Sequence, residues 1–328
     1  MTRLDPAVAE VRRAVRTALP ALDPGTHVLV ACSGGVDSMA LAAAAVFEGQ
    51  KAGWIVGAVV VDHGIQDDSV QVAHVVADLL ISLGCEPVEV ITVEVGTAGG
   101  PEAAAREARY AALESAASRD DALVLLGHTL DDQAETVLLG LARGSGTRSL
   151  AGMAAASGRF RRPLLGLRRD VTRRACKAEG LAVWEDPHNA DPRFARVRVR
   201  REVLPVLEAA LGPGVAEALA RTATAARHDA DALDDLASRL ADSLGDVSGG
   251  LDVEALATSS PALRRRVLRR AALDAGSLTG DLFAVHVDEL ERLVTDWHGQ
   301  GPLDLPGHIE AVRDQGRIRF ATSAKRLG

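Results

Sequence analysis

Residues 33–38 read Ser-Gly-Gly-Val-Asp-Ser, directly after the apolar run Val28-Leu-Val-Ala-Cys32 and directly before an Ala-rich stretch from Met39. That is the pattern of a strand, a glycine turn and a helix start. Such a unit aims free backbone N–H groups and the positive end of a helix at one point, which makes an anion cradle. Gly34 and Gly35 let the backbone approach a phosphate closely, the Ser33 and Ser38 hydroxyls can donate to its oxygens, and Val36 belongs to the same cradle. Asp37 would repel a phosphate unless a divalent cation stood between them, so it is the candidate ligand for Mg²⁺. The loop has no G-x-x-x-x-G-K-[ST] pattern and therefore no lysine placed for γ-phosphoryl transfer.

A second group lies in Leu126–Thr136, where His128, Asp132 and Glu135 are spaced by four and three. They share a helix face if the helix starts early, and their types allow either a divalent-metal site or an acid–base cluster. In Val61-Asp62-His63-Gly64-Ile65-Gln66, His63 follows a strand, where α/β sheets place ligand contacts; a buried structural histidine is the equal alternative. Arg106 and Arg109 lie on one helical face as a surface pair or an anion contact. Arg143 and Arg148 flank Gly144-Ser145-Gly146, which is a flexible cap, a place for an RNA backbone or a mobile lid. Arg196, Arg198 and Arg200 alternate as on one strand face, whereas on a helix only Arg196 and Arg200 share a face; Leu204 and Leu207 continue the helical spacing from Arg200, which favours the helix.

The elements that must position these residues alternate. Strand-like runs occur at 27–31, 55–61, 87–95 and 122–127, with helical patterns at 36–48, 69–83, 101–118 and 131–142. Strands alternating with helices of ten or more residues predict an α/β fold, a doubly wound parallel sheet of Rossmann type. Beyond Gly212-Pro213-Gly214 the pattern turns helical (215–244, 261–275, 281–297), with short strands around Gly316 near the end. The expected organisation is a catalytic domain over 1–212 and a smaller, mainly helical domain over 213–328.

The Ser33–Ser38 loop resembles the pyrophosphatase loop (PP-loop) of the ATP-pyrophosphatase superfamily, which cleaves ATP between its α- and β-phosphates to form adenylates. Within that superfamily the further motifs resemble those of the tRNA(Ile)-lysidine synthetases. Val61–Gln66 is similar to V-[ND]-H-G-[LI]-[RQ], and Arg106–Tyr110 to R-x-x-R-Y. Gly127–Thr136 is similar to G-H-H-x-D-D-Q-A-E-T, with Thr129 where a second His is usual. Arg143–Met153, Arg162-Pro-Leu-Leu165, Glu185–Asn189 and Phe194–Arg200 follow in the family order, with Val197 replacing an Asn. The resemblance spans about residues 25–205 and is closest to a short form.

It implies ligation of free L-lysine to carbon 2 of the wobble cytidine of a CAU-anticodon tRNA(Ile), using ATP and Mg²⁺ through an adenylated intermediate. Residues 33–38 and His63 would then bind ATP. Asp132, with His128 and Glu135, would serve lysine binding and catalysis. Arg106, Arg109, Arg143, Arg148, Arg196 and Arg200 would hold the tRNA. Other readings are a tRNA-thiolating relative, an amidating synthetase, or a tRNA-binding protein with a vestigial nucleotide fold.

Composition narrows these choices. The 328 residues carry a formal net charge of −8, but residues 159–201 hold thirteen Lys+Arg against five Asp+Glu. That local +8, set in −16 elsewhere, suggests a defined polyanion site or a solvated arginine-rich face. Aromatic residues make up only 3%, leaving Tyr110, Trp184 and Phe194 as available stacking platforms. Cys32, Cys85 and Cys176 are far apart and form no C-x-x-C pair, which disfavours a disulfide framework, a metal cluster and thiolation chemistry. The sequence shows no membrane span and no secretory signal, so a cytoplasmic setting is expected; a homodimer is left open.

Overall fold

The computed structural model describes residues 4–19, 22–64, 68–96, 101–144, 147–184, 191–244, 249–278 and 280–323. Motif residues Ile65, Gln66, Ser145, Gly146 and Glu185–Asn189 lie outside them. The chain gathers into two compact units, residues 1–142 with 152–223, and residues 143–151 with 224–328.

In the first unit, helix α1 (Pro6–Ala18) is opened by Asp5, whose side chain accepts from the Ala7 N–H. Four βα repeats follow: β1 (His27–Ala31), α2 (Val36–Ala52), β2 (Ile55–Asp62), α3 (Ser69–Leu83), β3 (Val88–Thr92), α4 (Pro101–Ser118), β4 (Leu123–Leu126) and α5 (Leu130–Arg143). The strands β5 (Ala156–Ser157) and β6 (Phe160–Arg161) extend the sheet, giving the order β3-β2-β1-β4-β6-β5. All pairings are parallel except β5 with β6, because the tight turn at Gly158 can only return the chain antiparallel. Apolar clusters cover both faces. One gathers α1, α2, α3 and α7 (Arg169–Glu179), and the other packs Leu113, Ala116 and Ala117 of α4 on the sheet.

Strand order reverses between β1 and β4, the switch point at which α/β sheets open a crevice beyond their carboxyl ends. The loops leaving β1 and β4 therefore meet. A Cβ on Gly127 would lie 3.2 Å from the Ser38 backbone, so glycine lets the two loops approach closely. The family-motif residues at 33–38 and 127–135 are brought together by this topology.

The anticipated strands and helices are present with ends shifted by a few residues. Neither α1 nor α7 was anticipated. The stretch around Arg196 is helical, as its spacing predicts: α8 (Ala195–Arg198) and α9 (Leu204–Leu211) join through a π-helical turn at Val199–Val203. The expected division at 212/213 differs from the observed units. The long helix α10 begins at Val215, and its first turns still pack with the first unit. There Ala216, Leu219 and Ala220 close a cluster with Leu130, Ala134, Leu138, Val199 and Leu204.

The second unit holds the remainder of α10 (Val215–Ser243), α6 (Thr147–Leu150), α11 (Val253–Thr258), α12 (Pro261–Asp274) and α13 (Ala284–Thr295). Their apolar faces enclose a core with the four-stranded antiparallel sheet β7-β10-β9-β8, comprising β7 (Leu251–Asp252), β8 (Leu303–Leu305), β9 (Ile309–Asp314) and β10 (Arg317–Thr322). Gln315 and Gly316, both at positive φ, form the β9–β10 hairpin turn. Among the described residues no single helix is long and apolar enough to cross a membrane.

One close approach in the first unit yields a prediction. The Gln133 side chain donates to the Met153 carbonyl (3.0 Å) and accepts from the Met153 N–H (2.7 Å), and a Cβ on Gly152 would lie 2.5 Å from its Oε1. Gly152 also has φ +55°. Gly152→Ala should therefore destabilise the protein by about 1–3 kcal/mol. Urea unfolding checks this, and an unchanged midpoint would show that Gln133 can move at no cost.

Candidate active site

The phosphate cradle is assembled by β1 and α2. Gly35 caps α2 without a side chain, so the first N–H groups of the helix have no intrahelical acceptor and face the loop. Gly34 adopts φ +79°, and a Cβ there would lie 2.5 Å from Val76, so the turn demands glycine twice over. Ser38 fixes the loop from inside: its hydroxyl accepts from the Ser33 N–H (3.3 Å) and donates to the Gly35 carbonyl (2.9 Å). Ser38 is thus spent on loop geometry. Cys32 lies beneath, accepting from the Gly34 N–H, and burial holds its thiol above the usual range.

Across the crevice, Thr129 caps α5. Its N–H and hydroxyl both donate to Asp132 Oδ2 at 2.8 Å, a capping box closed by an aspartate. This explains a threonine where the family usually has histidine. Asp132 Oδ1 is left to face two guanidiniums, Arg169 Nη2 at 2.6 Å and Arg200 Nη2 at 3.3 Å. Glu135, one turn on and fully buried, accepts from Arg200 Nε at 2.7 Å and Nη2 at 3.1 Å. Burial pushes the Glu135 carboxyl up despite Arg200. Burial acts likewise on Asp132, but there Arg169 and the Thr129 N–H prevail and hold it down.

Arg169 is the residue that sequence reasoning missed. It opens α7, its own N–H donates to Asp131 Oδ2 at 2.8 Å, and its Nε donates to Asp37 Oδ2 at 3.1 Å. The Thr172 hydroxyl donates to Asp37 Oδ1, and Cys176 Sγ donates to the Val36 carbonyl at 3.3 Å. Residues 169, 172 and 176 share one face of α7, so this helix clamps the start of α2. The available signal was that 3-4 spacing within the basic block.

Arg200 was expected at an RNA-docking face. It shares a helix face with Arg196, but that face points inward: Arg196 Nη2 reaches Thr136 at 3.4 Å, and Arg200 pairs with Glu135 and Asp132. A buried carboxylate needs a cation, and Arg200 supplies one to Glu135. Arg148 in α6 pairs with Asp231 and Asp234, and Arg143 is exposed at the end of α5.

A cationic wall gathers in the first unit. The Tyr110 hydroxyl accepts from Arg162 Nη2 at 3.0 Å and Arg106 Nη2 at 3.4 Å, and Arg109 lies 5.6 Å from the ring centre. Burial would raise the Tyr110 phenol, but Arg106 and Arg162 bring it below its ordinary value. His63 is half-buried, its basicity lowered by burial and by Arg109. His128 is brought down to about 3 by burial, with Arg109, Arg162 and Arg106 adding to the effect against Asp132. Buried Nε of Arg109 and of Arg162, both donors, and Nδ1 of both histidines have no protein partner. Unsatisfied donors beside clustered guanidiniums are what an anionic ligand would complete.

A cavity of about 150 Å³ opens between Glu135, Arg169 and Arg200 on one side and Leu204, Pro205 and Ala216 on the other. A larger, mostly apolar groove of about 710 Å³ lies between α1 and residues 161–167, and none of the loop residues or α5 carboxylates lines it. Among the described residues no three His, Cys, Asp or Glu are grouped to hold a metal ion unaided. Mg²⁺ ordinarily takes one or two carboxylates and completes its sphere with phosphate oxygens and water. Asp37, in the first turn beside the cradle, fits that pattern, with Arg169 as the neighbour sharing its carboxylate.

The fold and this loop define a nucleotide-binding protein of the PP-loop class, and a PP-loop domain model matches residues 8–207. A second model, the TilS substrate binding domain, matches residues 251–319. The tRNA(Ile)-lysidine synthase of Streptomyces coelicolor is 57% identical over 303 residues, covering 91% of this chain and 86% of that protein. That of Thermobifida fusca is 56% identical over 314 residues, covering 95% and 97%. The chain belongs to the tRNA(Ile)-lysidine synthase family, whose members are ATP-dependent ligases. A solved U34-tRNA thiolase from Methanococcus maripaludis shares the fold, with TM-score 0.56, 19% identity and coverage of 66% of this chain and 78% of that one.

The buried histidine makes stability depend on pH. His128 is lowered to about 3, whereas the unfolded chain titrates near 6.5. Between those values the unfolded state binds more protons, so stability is complete above about pH 6.5 and is lost as pH falls toward 3. From pH 6.5 to 5 the loss is about 2 kcal/mol. His128→Gln should flatten unfolding free energy over that interval in urea titrations; an equally steep variant would assign the slope elsewhere.

Proposed function

We propose that the chain ligates free L-lysine to carbon 2 of the wobble cytidine, position 34, of the CAU-anticodon tRNA(Ile), using ATP and releasing AMP and pyrophosphate. The observation that carries this reading is the juxtaposition, in one unit, of a phosphate cradle with a charged pocket. There a carboxylate and a guanidinium lie 2.7 Å apart. An α-amino acid has the complementary pair, an ammonium and a carboxylate on one carbon.

In the first step the cytidine carbon-2 oxygen attacks the α-phosphorus of ATP, and the bond to the β-phosphate oxygen breaks. The N–H groups at the start of α2, with Ser33 and the glycines, hold the phosphates. Asp37 would hold a Mg²⁺ ion that arrives with ATP, and that ion would supply charge neutralisation at the phosphates. In the second step the lysine ε-amine attacks carbon 2, the carbon–oxygen bond breaks, and AMP leaves with that oxygen. Asp132 and Glu135 take the α-ammonium and Arg200 the α-carboxylate, while Leu204, Pro205 and Ala216 line the aliphatic stem. This arrangement keeps the carboxylates away from the ε-amine, whose deprotonation they would oppose by raising a pKa already near 10.4. His128, at about 3, is a weaker proton acceptor than a phosphate with a second pKa of about 6, so the departing AMP takes the amine's proton. Arg106, Arg109 and Arg162 receive a phosphate of the RNA, which would satisfy the unpartnered donors around them.

The reading is tested by supplying ATP, labelled lysine and the CAU tRNA. Label must enter the tRNA with equimolar AMP, and incorporation of nothing, or only with another amino acid, would reject it. Asp132→Asn should raise the KM for lysine at least tenfold while moving the KM for ATP less than threefold (roughly the loss of one charge-assisted hydrogen bond). The reverse split would place Asp132 on the nucleotide side.

A further inference from the structure

Three buried or largely buried carboxylates, Asp37, Asp132 and Glu135, converge in the site, and Arg169 touches each of them. Its Nε lies 3.1 Å from Asp37, its Nη2 2.6 Å from Asp132 and its Nη1 3.6 Å from Glu135. Burial alone would weaken this guanidinium's hold on its proton, but Asp132, Asp37 and Glu135 together raise it well above its usual value. With Arg200 on Glu135 and Asp132, the cluster counts three negative charges against two positive, leaving room for one more cation.

We propose that Arg169 is a specificity-determining positioning residue: a built-in counter-ion that keeps free divalent cations out of the carboxylate cluster. It thereby reserves Asp132 and Glu135 for an ammonium group and Asp37 for a metal that arrives with phosphate. The proposal rests on the reading of Asp132 and Glu135 as the ammonium site. The geometry supports the assignment in two ways. A guanidinium has three N–H-bearing nitrogens in one plane and can face three carboxylates at once, whereas an ammonium cannot do so with fixed geometry. Moreover, α7 is anchored independently of that side chain. The Arg169 N–H donates to Asp131, the Leu130 N–H donates to the Leu167 carbonyl at 2.8 Å, and Thr172 and Cys176 hold the start of α2. Loss of the charge therefore leaves the scaffold that surrounds the carboxylates.

The measurement is the thermal midpoint of the full chain, without nucleotide, lysine or tRNA, during titration with MgCl₂ against NaCl of matched ionic strength. Wild type should show no Mg²⁺-specific shift. Arg169→Gln raises the uncompensated charge to two, so its midpoint should start lower and rise by about 3 °C at ten times the Mg²⁺ dissociation constant. Arg169→Lys, which keeps the charge, and the double variant Asp37→Asn/Arg169→Gln, which restores the balance, should not respond. A wild-type response equal to that of Arg169→Gln, no response in Arg169→Gln, or an equal response in either control overturns the proposal. If Arg169→Gln fails to fold in chelator, it should be recovered by refolding in Mg²⁺ and not in Na⁺; recovery in neither also overturns it. Lysine incorporation by the wild type is scored separately, so failure of the proposed reaction is distinguishable from failure of this assignment.

Discussion

Carboxylates withdrawn from water cannot remain ionised without cations against them, and three of them meet at the switch point of this sheet. Asp37 is brought by the first turn of α2, and Asp132 and Glu135 by the first turns of α5. Two guanidiniums answer them, Arg169 from α7 and Arg200 from the π-helical turn between α8 and α9. Removing one partner of such a pair typically costs about 3–5 kcal/mol, because it leaves an uncompensated buried charge. The requirement therefore reaches well beyond the loop. It fixes where α7 must begin, and it fixes which face of α8 turns inward.

Much of this was legible in the chain. The βα alternation and the Ser33–Ser38 loop depend on local signals: period-two and helical apolar patterns, glycines at a turn, and hydroxyls beside them. Such signals survive in a single sequence because each is satisfied by residues a few positions apart. The helix at Arg196–Arg200 was also readable from its spacing, but the direction of its face was not. Periodicity shows that two side chains share a face; it does not show whether that face meets water or a buried glutamate 65 residues earlier in the chain. Arg169 was invisible for the same reason, since its partner Asp37 lies 132 residues away. The basic block illustrates the point. Counted as charge it suggests a docking surface, yet Arg168 is spent on Asp131 and Glu217, and Arg169 and Arg200 on the site's own carboxylates.

The site divides by sign. On one side lie the carboxylates and their two guanidiniums, nearly balanced and hydrogen-bonded to one another. On the other lie Arg106, Arg109 and Arg162 around Tyr110, with His63 and His128 driven toward neutrality by burial and by those same arginines. The balanced side is preorganised around its own partners. The cationic side holds its unsatisfied donors until something anionic supplies the missing acceptors. A protein that must bring together a nucleotide, an amino acid and an RNA gains from this separation, because each ligand's charge finds its complement in a different wall.

The choice of arginine over lysine belongs to the same logic. The chain contains only Lys51, Lys177 and Lys325, and the cations paired with these carboxylates are arginines. Composition bias toward arginine accounts for the rarity, but the geometry gives it a consequence. A resident lysine beside Asp132 would place an ammonium of its own where the substrate's α-ammonium is proposed to sit, and it would compete at an effective concentration no free amino acid can match. A guanidinium instead satisfies several carboxylate oxygens from one fixed plane and is anchored by α7, whose backbone is itself tied to Asp131. The carboxylates are thereby kept ionised and ordered by a group too rigid to imitate the ligand.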